Sequence, residues 1–97
     1  MTRPGVDLIA KERRRQQRAE GWTADHDDAH EDGELAAAAA CYALRSRRRR
    51  YGDRRIPQKW PWDSVWWNPK GPIRDLVRAG ALIAAEIDRR LRAGEKP

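Results

Sequence analysis

Residues 72–94 read PIRDLVRAGALIAAEIDRRLRAG, and this stretch decides the fold class. Pro72 suits a first helical position, where a missing N–H leaves no bond unmade. Ile73, Leu76, Val77, Gly80, Ile83, Ala84, Ile87 and Leu91 then recur at i, i+3, i+4 and i+7 spacing, the period of an α-helix. Gly94 supplies the stop. Ala79, Gly80, Ala81, Ala84 and Ala85 are small, and so are Ala36 to Ala40 of ELAAAAACYAL, residues 34–44. Small residues on both partners let helix axes approach at the short end of ~8–10 Å. The two segments therefore read as a close-packed antiparallel pair.

Outward from that pair, residues 33–49 predict the second long helix. Its buried stripe is Leu35, Ala38, Ala39, Cys41 and Tyr42, with Glu34 near the positive end of the helix dipole. A first helix is expected over residues 6–20, ended by Gly21. Val6, Ile9 and Ala10 begin an apolar face there, but Arg13, Gln16 and Gln17 continue it poorly, so much of this helix should be exposed or lie against a partner. Residues 22–32 read as a loop with one turn, capped by Thr23. Residues 50–71 hold Pro57, Pro61, Pro69, Gly52 and Gly71, which exclude a long regular element. They also hold Trp60, Trp62, Trp66 and Trp67, whose apolar surface argues for an ordered cap over the helices. The expected architecture is all-α: a small three-helix arrangement with a Trp-rich irregular capping loop. It forms one domain over residues 1–97, frayed at 1–5 and 94–97.

Composition bounds the function. A chain of 97 residues with 21 Lys plus Arg against 15 Asp plus Glu carries a formal charge of +6. No apolar run approaches the ~18–20 residues of a membrane span, and one Cys excludes an internal disulfide. The N-terminal residues lack the apolar stretch of a secretory signal, so a cytoplasmic location is expected. The charge is segregated. Residues 19–44 contain seven acids and no Lys or Arg, whereas residues 45–59 contain eight cations and one acid. Such blocks can pair within a molecule or between subunits, and homo-oligomerisation is expected of so small a core.

Four constellations carry chemistry. The first is WTADHDDAH, residues 22–30, leading to Glu34. His26, Asp27, His30 and Glu34 are the candidate metal ligands, but HDDxH matches no strong ligand spacing. A hydrogen-bonded loop whose carboxylates pair with Arg13, Arg14 or Arg74 is preferred, with no metal or other cofactor. The second is the basic tract with Arg47, Arg48, Arg49, Arg50, Arg54 and Arg55, which suits phosphate contact. Nucleic acid is not favoured, because the acidic block would repel a duplex on the same face. The third is the Trp set, whose indole faces either cap the core or stack on a planar ligand. The fourth is Glu86 and Asp88 with Glu34. These resemble helical nucleotide pyrophosphatases only poorly, because Glu86 and Asp88 point about 160° apart at ~100° per residue.

ERRRQQRAEGWTADHDDAHEDGELAAAAACYAL and WPWDSVWWNPKGPIRDLVRAGALIAAEIDRR together resemble a family of small accessory proteins of tailed bacteriophages and prophages. The likeness spans nearly the whole chain except residues 45–55, which are shorter and more basic here. A fainter similarity links the GWT…DD…H stretch to ryanodine-receptor-type domains, proposed to bind nucleotide-like ligands. The phage resemblance implies a protein acting in the host cytosol and suits counter-defence by ligand binding without turnover. The expected ligand is a nucleotide-derived host immune signal, in a pocket lined by Arg13, Trp22, His26, Asp28, Trp67 and Arg74. Two alternatives stand beside it: an inhibitor of a host defence protein, of anti-CRISPR or anti-restriction type, and a metal-dependent nucleotide hydrolase.

Overall fold

A computed structural model describes residues 3–47 and 55–97. The described residues form four α-helices, with no strand among them: α1 (Pro4–Ala19), α2 (Ala24–Asp28), α3 (Glu34–Arg45) and α4 (Pro72–Arg92), plus a 3-10 turn at Ser64–Trp66. The all-α fold class is as the sequence predicts. The single turn expected in residues 22–32 is α2, capped by the Thr23 hydroxyl, which accepts from the His26 N–H at 3.3 Å. α3 is shorter than the 33–49 expected from sequence, ending at Arg45. Helix α1 starts at Pro4, two residues earlier than expected, so residues 4 and 5 are helical rather than frayed.

Helix α4 is the spine. It packs most extensively on α3, then on α1 and α2. Leu35, Ala38, Ala39, Cys41 and Tyr42 face Ala79, Leu82 and Ala85, with Trp67 closing the cluster from the capping loop. The stripe predicted on α3 is thus the buried one. On α4 the outcome differs. Its core face is built from Ala79, Ala81, Leu82 and Ala85, while Ile73, Leu76, Ile83, Ile87 and Leu91 are 46–65% exposed. Alanines win the interior because they allow the two backbones to approach closely, and the larger side chains are turned outward.

Helix α1 seats a mostly polar face. Ile9 lies against Gly80 of α4, where a Cβ would come within 2.5 Å of its Cδ1. Glu12, Arg13 and Gln16 are all buried. Burial of such groups is tolerable only when they are paired and hydrogen-bonded. Glu12 accepts from Arg15 Nε at 2.7 Å and Nη2 at 2.8 Å, and Arg13 pairs with Asp27 of α2. Polar pairing therefore replaces the apolar face that the sequence does not supply.

The acidic block pairs chiefly with cations of α1 and α4. Asp27 meets Arg13, Asp28 meets Arg92 at 2.7 Å, and Glu20 meets Arg15 at 2.9 Å. Arg48, Arg49, Arg50 and Arg54 of the basic tract lie outside the described residues. No described helix is long and apolar enough to cross a membrane.

Candidate functional site

Gly21 takes φ +70°, a conformation that favours glycine, and turns the chain sharply at the end of α1. The Trp22 N–H bonds back to the Gln16 carbonyl at 3.0 Å, which lays the indole beside α2. Trp22 and His26 stack with centroids 5.2 Å apart and planes 8° from parallel. His26 meets His30 edge-on at 5.0 Å, and His30 meets Trp62 at 5.2 Å. Trp62 continues to Trp60 at 5.5 Å, and Trp60 to Trp67 at 4.9 Å. Trp67 stacks on Tyr42 at 4.8 Å. Seven rings from α2, α3 and the three segments that connect the helices thus form one connected array.

The capping loop is pinned at both ends. Asp63 accepts the Val65 N–H through its carboxylate at 3.1 Å and the Trp60 indole N–H through its carbonyl at 3.1 Å. The Tyr42 hydroxyl accepts from the Asn68 N–H at 3.3 Å and from Arg78 Nη1 at 3.2 Å. Beyond it, buried Asp75 accepts the Lys70 N–H at 2.8 Å and fixes the entry into α4. The loop that sequence marks as irregular is therefore held by side-chain bonds rather than by a backbone ladder.

Between this loop and α1 lies a cleft of about 840 Å³, walled by Trp22, His26, His30, Tyr42, Trp60, Trp62 and Trp66, with Arg15, Gln16 and Arg78 along one side. A second recess of about 560 Å³ adjoins it, sharing Arg15, Glu20, Asn68 and Arg78 and adding Glu12, Lys70 and Arg74. The aromatic space thus opens onto a charged one.

Polar groups in the cleft are unequally satisfied. Gln16 is 1% exposed, and its Oε1 has no partner among the described residues. The Trp62 indole N–H is also buried without one. Leaving such groups unpaired costs about 1–3 kcal/mol each. Arg78 spends Nη1 on Tyr42 and on the Asn68 carbonyl at 2.6 Å. Its guanidinium carbon lies 4.9 Å from the Tyr42 ring centroid, and its Nε and Nη2 make no bond to described residues. Nε and Nη2 can donate to an anion.

The titratable groups are held by neighbours. Burial alone would raise the Glu34 carboxyl, but hydrogen bonds from His30 and from the backbone of Asp32 and Glu34 outweigh it and hold it below its ordinary value. Burial likewise opposes the Arg15, Arg78 and Arg74 cations around Glu12, and the cations prevail, so that carboxyl is also lowered. The same contacts raise Arg15, which stays cationic.

Of the residues expected to line one pocket, Trp22 and His26 do so, and Arg74 lines the adjoining recess. Arg13 is instead buried against Asp27, and Asp28 pairs with Arg92 away from the cleft. Trp67 is 5% exposed and belongs to the core, where its ring stacks on Tyr42. Among the metal candidates, His26 Nδ1 is bonded to Asp27 at 2.9 Å and His30 Nδ1 to Glu34 at 3.1 Å. No three such groups converge among the described residues. Sequence reading missed Gln16, Trp60, Trp62 and Arg78 as cleft residues. Arg78 had a signal, since it follows Arg74 at i+4 and so shares its face. Compared with known families, curated proteins and solved structures, the chain matches none of them.

Proposed function

We propose that this is a small accessory protein of bacteriophage origin that holds a nucleotide-like ligand in the aromatic cleft and does not turn it over. The observation that carries the reading is the junction of the two spaces. Stacked rings and the unpartnered Gln16 Oε1 suit a planar heterocycle with an exocyclic amine, and the recess with Arg74, Arg78 and Lys70 suits phosphate. Indole faces stack on bases, while guanidinium groups bind phosphate bidentately. A base and a phosphate joined by a sugar combine the two demands. Sequestering a nucleotide-derived immune signal in the host cytoplasm is the role this chemistry fits.

A thermal-shift panel of nucleoside monophosphates, cyclic mononucleotides and cyclic dinucleotides tests the proposal. At ten times Kd a ligand adds about 1.4 kcal/mol of stability. For a chain this size that is a rise of roughly 5–10 °C in Tm. Absence of a shift with every member, on folded protein, refutes the reading.

One observation favours a second reading, inhibition of a host defence protein. Val65 and Trp66 are 75% and 70% exposed at the cleft rim, and an exposed Trp is a strong anchor for a protein partner. Under that reading Trp66→Ala abolishes partner capture and no nucleotide shifts Tm.

A further inference from the structure

Arg78 is half-buried and lines both the aromatic cleft and the adjoining recess, yet it forms no ion pair among the described residues. Arg13 and Arg89 are also drawn in from solvent, and each meets a carboxylate, Asp27 and Glu86 respectively. Arg78 is instead held by neutral groups. Its Nη1 donates to the Tyr42 hydroxyl and the Asn68 carbonyl, and its guanidinium carbon sits 4.9 Å from the Tyr42 ring centroid. These contacts orient the group and leave the edge formed by Nε and Nη2 unspent. That edge is the parallel donor pair that grips a carboxylate or a phosphate bidentately. The same edge of Arg15 grips Glu12 at 2.7 and 2.8 Å, and that of Arg89 grips Glu86 at 2.6 and 3.2 Å. A guanidinium already oriented loses less side-chain freedom on binding than one that must first be ordered.

The charge around that edge sets what it can hold. Arg15, Lys70, Arg74 and Arg78 line the recess with Glu12 and Glu20, a surplus of two positive charges. Arg15 is taken up by the two carboxylates, at 2.7 and 2.9 Å. Lys70 and Arg74 are exposed, and Arg74, whose Nη1 is 3.9 Å from Glu12, stands one helical turn before Arg78 on the same face of α4. We infer that Arg78 holds one phosphate group, a phosphomonoester or phosphodiester, with Lys70 and Arg74 beside it, and that the recess disfavours polyphosphates. For the rest of the ligand the inference rests on the nucleotide reading of the cleft. A phosphomonoester carries about −1.5 to −2 at pH 7, which matches the surplus. Each further phosphate adds charge that exceeds it and faces Glu12 and Glu20, and like charges brought together cost affinity.

Calorimetric titration without added magnesium tests this, with adenosine, guanosine, cytidine and uridine, their monophosphates and triphosphates, and with phenyl phosphate and benzoate. At least one monophosphate is expected to bind at least about tenfold more tightly than its nucleoside, and no less tightly than its triphosphate. Arg78→Lys keeps the charge and loses the fork, and is expected to remove most of that gain. Should circular dichroism show that this variant is not folded, Lys70→Gln with Arg74→Gln is expected to reduce the same ratio. Both positions are exposed, and the pair leaves the bonds of Arg78 to Tyr42 and Asn68 in place. Nucleotide binding that a folded Arg78→Lys chain retains in full overturns the inference and leaves the cleft reading standing. Phenyl phosphate binding that depends on Arg78, with every nucleotide inert, supports the phosphate site and overturns the nucleotide reading. A triphosphate preferred over its monophosphate overturns the inference, and so does benzoate preferred over phenyl phosphate. Failure of both the nucleotides and phenyl phosphate to bind overturns the two readings together.

Discussion

Asp27 is fully buried and bonded through both oxygens, to Arg13 on one side and to His26 on the other. It therefore ties α1 to the ring array. Removing one member of a buried pair leaves an uncompensated charge and costs roughly 3–5 kcal/mol. Asp27→Ala is expected to lose that much in chemical denaturation and to free the His26 ring. Replacing Arg13 and Asp27 together by apolar residues is expected to cost much less than either change alone. At Gly80 the neighbour is Ile9, with Cδ1 at 2.5 Å and Cγ1 at 2.8 Å from an added Cβ. An alanine in a helix interior is worth about 1 kcal/mol over glycine, but here it displaces Ile9. Gly80→Ala is thus expected to be more favourable in an Ile9→Ala background than in wild type, a coupling that a double-mutant cycle measures. Thr23 as a cap and a carboxylate pairing with Arg13 are both legible in sequence. Which carboxylate meets Arg13 is not, because Asp25, Asp27 and Asp28 differ only in where one short turn points them.

At the scale of the helices, periodicity was a good guide to where α3 and α4 run and a poor guide to which face of α4 is inside. The Ile and Leu stripe carries the strongest apolar signal in the chain, yet the core takes the alanine face because α3 is itself alanine-rich. Helix α1 was legible as a helix with a weak apolar face, and its buried polar residues explain the weakness. Those polar contacts make stability depend on pH. Arg89 hydrogen bonds lower the Glu86 carboxyl despite its burial, and the Arg15, Arg78 and Arg74 cations lower that of Glu12 against the opposing effect of burial. Both lie below the ordinary 4.5 in the folded state, so the unfolded chain takes up protons first. Their contribution is fully present above pH 4.5 and is lost as pH falls through the lowered values. A chain with Glu12→Gln and Glu86→Gln is expected to be less stable at pH 7 and to show a flatter loss below pH 4.5 in thermal melts.

At the scale of the whole molecule, two surfaces stand apart: the exposed aliphatic side chains of α4, and an aromatic cleft that opens onto a charged recess. The sequence showed that four Trp cluster within residues 60–67, but not which of them become wall and which become core. That sorting depends on the bonds of Tyr42, Asp63 and Asn68, which join distant parts of the chain and leave no local pattern. Trp22, Trp60, Trp62 and Trp66 border the cleft, so intrinsic fluorescence reports directly on its occupancy. The decisive measurement is a fluorescence titration of the wild-type chain with the nucleotides of the thermal-shift panel, beside each corresponding nucleoside. Saturable quenching is predicted for at least one nucleotide, with weaker binding of its nucleoside and loss of the signal in Trp62→Ala. A flat titration with every nucleotide to millimolar concentration, on protein whose helicity is intact, would contradict the assignment of the cleft.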